Sequence, residues 1–344
     1  MSDQQKWERL LPRVFHAYHW QPLSVRKVRG AFRVQTSSNT FALKPIGATE
    51  ERLSFLHKMT VHLLDKNYKH VLPWMQTRRG DPFFLHEGQA FYATPWYGKE
   101  FSSESSPAIG ELARSLGEMH QLTKDVTVSS SSSTASLTQT ASRVNAQSEQ
   151  LRAYAETAEQ RTNKSPFDVT FLENVEELQQ GATFAVKGIQ RAAVLAAEKP
   201  FRQVYCHRSI HRHNVVKRGG RWKWIDFDKA DLDVPVRDLA VLLQRFVSED
   251  TSLQTLEGVL LAYEQALKID AREKRLLGLL LAYPDHVFRQ LRRYYDRDEH
   301  REEMASVEQL KASIARYQVV KRLAKQLVTR RNGSARRQKM SVKN

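Results

Sequence analysis

The chain is expected to fold as an α+β protein of two lobes: a small β-rich N-terminal one and a larger, mainly helical C-terminal one. Three observations lead there. The first ninety residues read strand, strand, helix, strand, strand. Helical periodicity then dominates to about residue 328, with one compact β-rich patch at 203–228. With 344 residues, roughly three quarters of the unfolded surface can leave water, enough for one large domain or two lobes.

Each element has a local reason. Residues 24–34 (SVRKVRGAFRV) and 40–46 (TFALKPI) are β-rich runs joined by a polar turn at Ser37, Ser38 and Asn39. In residues 50–65, Leu53, Leu56, Met59, Leu63 and Leu64 recur at helical spacing. DPFFLHEGQAFYATP reads as a hairpin turning at His86–Gln89. From Pro95 the turn-rich TPWYGKEFSSESSP reads as a crossover between lobes. Pro107 suits a first helical turn after Ser106, ahead of the stripe Ile109, Leu112, Ala113, Leu116 and His120. The serine run Ser129–Ser133 reads as an exposed, mobile loop. Helices follow to about residue 199, broken or relaxed near Gly181. In the β-rich patch, NVV and RWKWID flank a Lys217–Gly220 turn, and helices resume at Pro235 with PVRDLAVLLQRF. The expected division is residues 1–94, residues 95–320 including the segment 205–228, and a flexible basic tail at 321–344.

Composition excludes several classes. Nowhere do about 18 apolar residues run together, so no membrane span is expected, and MSDQQKWERL has no secretory pattern. The single cysteine, Cys206, excludes a disulfide framework and four-thiolate zinc sites. Lys+Arg number 54 against 38 Asp+Glu, a formal charge of +16 that suits nucleic acid, an anionic surface, phosphate substrates or a solubilising coat.

The informative stretch is His207-Arg208-Ser209-Ile210-His211-Arg212-His213-Asn214, followed twelve residues later by Asp226 in Ile225-Asp226-Phe227-Asp228. Phosphoryl transfer from ATP needs a positioned base, a side-chain amide and a carboxylate on the metal, and a lysine on the phosphates. Asn214 and Asp226 are candidate Mg²⁺ ligands. Lys44, in the strand FALKPI, is the candidate for the α/β-phosphates, and Glu51 or its neighbour Glu50 for pairing with it.

With FALK, LGEMH, the H-x-x-x-x-x-x-N loop, IDFD and the PVRDLA helix in this order, residues 20–320 resemble the aminoglycoside-phosphotransferase branch of the kinase-like fold. Within it, the chain is most similar to the CotS-like spore coat proteins of endospore-forming bacteria. Their loop reads approximately C-H-x-D-x-x-x-x-N, followed by I-D-x-D and P-x-R-D-L. The matching residues are Cys206-His207, Asn214, Ile225 to Asp228 and Pro235 to Leu239. The resemblance implies a bilobal protein-kinase-like fold, ATP and Mg²⁺ as cofactors (bound weakly or lost), other spore coat proteins as partners, and residence in the mother-cell cytoplasm and spore coat.

One departure bears on activity. The catalytic aspartate of such phosphotransferases stands two residues after the histidine, and that position is Ser209. A serine hydroxyl has no useful basicity near neutral pH, and losing a general base costs about 10²–10⁴-fold in rate. Residues 24–34 also offer only Gly30 where a nucleotide-covering loop would hold several glycines. The expectation is a degenerate kinase acting in coat assembly or structure. A small-molecule phosphotransferase acting on a hydroxyl or amino-alcohol, with Asp228 or water replacing the base, stays open.

His207 reads as structural, its ring tying the loop to nearby backbone, and Asp238 as a hydrogen-bonding partner of that loop. Cys206, His207, His211 and His213 offer zinc-type donors but lack a second cluster at conventional spacing. Trp222 and Trp224 alternate in a strand and read as packing rather than a base-stacking platform. Ser209 as a nucleophile lacks an elbow motif and a base. From Tyr317 the chain carries nine Lys/Arg and no acid, read as docking or solubilising charge in preference to nucleic-acid binding.

Overall fold

The structure is a computed structural model and describes residues 3–100, 108–126, 133–296 and 302–329. Its contacts divide the chain into two compact units, Met1–Ser106 with Arg212–Ala230, and Pro107–His211 with Asp231–Asn344.

The first unit is built on a five-stranded antiparallel sheet of β1 (Ser24–Val28), β2 (Ala31–Gln35), β3 (Thr40–Ile46), β4 (Phe84–His86) and β5 (Gln89–Pro95), in the order β1-β2-β3-β5-β4. Alternation sorts its faces: Phe32 and Val34 of β2, and Phe41 and Leu43 of β3, are buried, while Lys44 lies half-buried on the opposite face. Pro45 is tolerated because β2 pairs with β3 only as far as Leu43, so no ladder bond to β2 is lost. Helix α1 (Asp3–Ala17) packs Leu10 and Val14 against Phe32, Val34, Leu43 and Phe91. That helix was not foreseen. The signal that could have shown it is the helical spacing of Trp7, Leu10, Leu11, Val14 and Phe15, and the helix carries Pro12 inside it. Helix α2 (Glu50–Asp65) starts where Thr49 Oγ accepts the Arg52 N–H, and it buries Leu53, Leu56, Met59 and Leu63.

The remainder of this unit is a hairpin of β8 (Val215–Arg218) and β9 (Arg221–Trp224), flanked by β6 (Lys99–Glu100). Gly219 and Gly220 both have positive φ, as a two-residue hairpin turn requires. Trp222 and Trp224 are buried. His70 stacks on Trp222 with ring centroids 3.9 Å apart, and the Trp224 N–H donates to the His70 carbonyl at 2.8 Å.

The second unit is helical: α3 (Ile109–Leu122), α4 (Ser133–Gln160), α5 (Pro166–Leu172), α6 (Val175–Glu198), α7 (Val236–Phe246), α8 (Leu253–Glu264), α9 (Ala271–Ala282), α10 (Asp285–Tyr295) and α11 (Glu303–Thr329). One antiparallel pair, β7 (Val204–Cys206) with β10 (Asp231–Asp233), completes it. Leu151, Phe167, Phe171, Phe288, Leu310 and Tyr317 share one core. Gly181 neither breaks nor relaxes α6, which runs through it. Its bare Cα lets α11 approach, since a Cβ there would lie 2.0 Å from the Tyr317 hydroxyl oxygen.

Two segments sit elsewhere than expected. Residues 212–230 group with the sheet unit, and α11 runs unbroken to Thr329, past the expected start of a flexible tail at 321. Its Val319, Val320, Leu323, Ala324 and Leu327 are buried, which ties that stretch down. Pro107, residues 129–132 of the serine run and residues 330–344 of the basic tail lie outside the described residues.

Candidate functional site

In the sheet unit, Lys44 and the Ile225–Asp228 segment come together. Strand β3 directs Lys44 away from the core, and its ammonium pairs with Asp226 and, at 2.8 Å, with Asp228 Oδ2. Tyr92 faces Lys44 across the β3–β5 pairing and donates its hydroxyl to Asp228 Oδ1 at 2.8 Å. Asp226 sits in the left-handed backbone region (φ 66°), a strained setting for a side-chain-bearing residue that turns the chain sharply after β9. Two carboxylates against one ammonium leave one negative charge in excess. Asn214, buried in the short 3₁₀ turn Arg212–Asn214, is anchored close to Asp226: its carbonyl accepts the Ile225 N–H at 3.0 Å. Two carboxylates and a side-chain amide are hard oxygen donors of the kind Mg²⁺ takes, so the residues present fit a metal–nucleotide site.

Glu51 is not part of this grouping. It is exposed in the first turn of α2 beside Glu50, where both acids favour the helix N-terminus. Lys44 has its partners in Asp226 and Asp228 instead. The α2 residue that does reach the segment is Arg52, whose guanidinium donates to the carbonyls of Asp228, at 3.3 Å, and Ala230. Neither Tyr92 nor Arg52 was foreseen. Pairing register decides the first and helix phase the second, and neither is written in a local pattern. The β1–β2 turn is a tight one at Arg29–Gly30, with Arg29 at φ 54°, so no glycine-rich loop is present there.

In the helical unit, Asp238 organises the loop that carries Ser209. Its carboxylate is fully buried in the first turn of α7 and accepts the His207 N–H at 2.6 Å and the Arg208 N–H at 2.9 Å. His120 Nε2 lies 3.4 Å from the same carboxylate, and His120 Nδ1 is 2.7 Å from the Tyr263 hydroxyl. Burial by itself would raise the Asp238 carboxyl. Hydrogen bonding and charge from His120, charge from His207 and the Arg208 N–H outweigh it and hold the group below the ordinary carboxylate range. The buried His207 accepts the Ser209 N–H at its Nδ1 (3.3 Å). Arg208, itself at φ 59°, reaches Asp231 at 3.4 Å and buried Asp233 at 3.5 Å; Arg237 pairs with Asp233 at 2.7 Å. The loop is therefore held from its backbone and by Arg208, whatever side chain stands at 209.

Among the described residues, the one set of three metal-type donors within 4.8 Å of one another is His120, Cys206 and Asp238. It is not the set Cys206, His207, His211 and His213. All three members are fully buried; His120 and Asp238 are engaged in the network above, and burial pushes the Cys206 thiol well up, so it stays protonated. This is a hydrogen-bonded core rather than a zinc site. Among the described residues, no helix is long and apolar enough to cross a membrane.

The fold is that of aminoglycoside phosphotransferase-like kinases. An aminoglycoside phosphotransferase from Alicyclobacillus acidocaldarius is similar with a TM-score of 0.75 and 17% identity, covering 90% of this chain and 94% of that one. Spectinomycin phosphotransferase APH(9)-Ia, solved with ADP and spectinomycin, has a TM-score of 0.63 and 15% identity, covering 93% and 98%. Amicoumacin kinase hAmiN, solved with AMP-PNP and Ca²⁺, has a TM-score of 0.59 and 16% identity, covering 94% and 96%. No curated protein matches the chain. The profile of the family described as "Spore coat putative kinase YutH" matches residues 12–327, and the chain belongs to that family.

Proposed function

We propose that this protein is a spore coat-associated, kinase-like scaffold that keeps a metal–nucleotide site in its sheet unit and has lost efficient phosphoryl transfer. The observation that carries the reading is the contrast between two segments. Lys44, Asp226 and Asp228 are gathered, whereas the loop held by Asp238 presents Ser209 where the base would stand. When bound, Mg-ATP would supply an activated γ-phosphoryl group. Asp226, Asp228 and Asn214 would hold the metal, and Lys44 would face the phosphates. Ser209 has no basicity with which to take an acceptor proton, so turnover is expected to be slower by about 10²–10⁴-fold than with a carboxylate. Coat association is supported by the family, and the basic residues from 321 onward would serve docking or solubility.

A small-molecule phosphotransferase is the second reading. Asp228 supports it: its carboxylate, held by Lys44 and Tyr92 at the end of the same segment, is the group read as replacing the base.

Mg-ATP is expected to raise the melting temperature, and Lys44→Ala or Asp226→Ala to abolish the shift. Ser209→Asp is expected to raise turnover toward hydroxyl and amino-alcohol acceptors. Wild-type turnover at ordinary kinase rates, lost in Asp226→Ala, would refute the degenerate reading. A fluorescent fusion spread through growing cells, rather than gathered at the forming coat, would refute the coat role.

A further inference from the structure

Three elements of the sheet unit converge on one residue, Asp228. From β3, the Lys44 ammonium pairs with its Oδ2 at 2.8 Å. From β5, the Tyr92 hydroxyl donates to its Oδ1 at 2.8 Å. From α2, the Arg52 guanidinium donates to its backbone carbonyl at 3.3 Å and to that of Ala230. Asp226 is set differently, by a backbone turn at φ 66°, and Lys44 meets its carboxylate as well. Because one ammonium touches both carboxylates, the two converge on one place.

The three grips on Asp228 are not equivalent. Lys44 is the group that would face the phosphates, so its bond to Asp228 is the one that a nucleotide would compete for. Arg52 fixes the main chain and does not restrain rotation of the carboxylate. That leaves Tyr92. Its hydroxyl is an uncharged donor, so it sets the direction of the carboxylate without neutralising the charge that a cation needs. The ring is itself immobilised: it is 6% exposed and stacks on Trp74, with centroids 4.2 Å apart and 12° between planes. Strand pairing places it directly opposite Lys44. Carboxylates that bind metal are held by hydrogen bonds of this kind, and losing such a partner costs about 10–100-fold in metal affinity.

We propose that Tyr92 is a positioning residue for the metal. Its hydroxyl, braced by the Trp74 stack, aims Asp228 at the cation of a bound metal–nucleotide while Lys44 is engaged by the phosphates. This rests on the metal–nucleotide reading of the site and deepens it: one side chain orients the ligand carboxylate and another meets the phosphates.

The test is calorimetric titration of the full-length protein with ADP, once with Mg²⁺ and once with EDTA. The quantity read is the ratio of the two affinities, and in the wild type Mg²⁺ is expected to tighten binding. Tyr92→Phe keeps the ring and its stack and removes only the hydroxyl. It should cut the Mg²⁺-dependent gain about tenfold. Asp228→Asn should cut it at least as far. The double variant should lose no more than Asp228→Asn alone, because Tyr92 acts through that carboxylate; a purely structural hydroxyl would add its own loss. Unchanged far-UV circular dichroism should show that each variant is folded. An unchanged ratio in Tyr92→Phe, or losses that add in the double variant, would overturn this proposal and leave the metal–nucleotide reading standing. A wild type whose ADP affinity is indifferent to Mg²⁺ would overturn that reading and the proposal together.

Discussion

Asparagine at position 238 would test how the Ser209 loop is held. The Asp238 carboxylate is fully buried and accepts two backbone N–H groups, from His207 at 2.6 Å and Arg208 at 2.9 Å, with His120 Nε2 at 3.4 Å. Asparagine keeps one acceptor oxygen and turns an NH₂ toward a donor, so one buried backbone N–H loses its partner. That loss costs about 1–3 kcal/mol, and the surviving bond loses its charge assistance. Together these effects give a destabilisation of roughly 2–4 kcal/mol. Urea unfolding followed by far-UV circular dichroism reads it, because the helices α3–α11 belong to the second unit. Tryptophan fluorescence follows the other unit separately, since all six tryptophans (Trp7, Trp20, Trp74, Trp96, Trp222 and Trp224) lie there. The pH dependence adds a second check. Asp238 titrates below its ordinary value of 3.8 in the folded state, so its contribution is complete above that pH and is lost as pH falls through the lower folded value. The acid limb of stability should flatten in the variant. A loss under about 1 kcal/mol, or an unchanged acid limb, would refute a loop held by buried charge.

Two further outcomes follow from other parts of the molecule. His286 is held near 4 against an ordinary 6.5, so the unfolded chain binds the extra proton between those values and stability should fall as pH drops through that window. At 1.36 kcal/mol per unit the ceiling is about 3 kcal/mol, and partial exposure brings it to roughly 2 kcal/mol. His286→Gln should remove that slope in stability measured against pH. Gly98→Ala should destabilise the sheet unit by roughly 2–4 kcal/mol, combining a positive φ of 63° with a Cβ placed 2.0 Å from the Lys217 carbonyl oxygen. Tryptophan fluorescence in urea should register it, and an unshifted midpoint would show that β6 is not pinned there.

The legible parts were those written in short-range pattern. Helix α2 matches the 50–65 stripe because its apolar residues recur on one face and Thr49 caps it. The β-rich runs were legible as strands, but the 24–34 run is two of them, β1 and β2, paired antiparallel across the turn at Arg29–Gly30. What pattern could not reach was phase and register between distant segments. Glu51 and Arg52 are adjacent in sequence, yet only Arg52 turns toward the Asp228 and Ala230 carbonyls, because one residue along a helix rotates a side chain by about 100°. Tyr92 opposes Lys44 only through a pairing register that no single strand encodes. Helix α1 carried a helical spacing that was passed over, and the structure shows what that spacing serves: Leu10 and Val14 are buried against the sheet.

The formal charge of +16 also changes meaning once its parts are located. The sheet unit gathers two carboxylates around one lysine at Lys44, Asp226 and Asp228, so the local balance there is negative although the chain as a whole is basic. Net charge therefore says little about that centre, whose sign suits a cation rather than a bare polyanion. A metal-bearing triphosphate needs carboxylates for its cation and an ammonium for its oxygens, and this centre offers both. Binding of Mg-ATP that is lost in Asp226→Ala would therefore argue for a retained nucleotide site, even where the Ser209 loop no longer transfers a phosphoryl group.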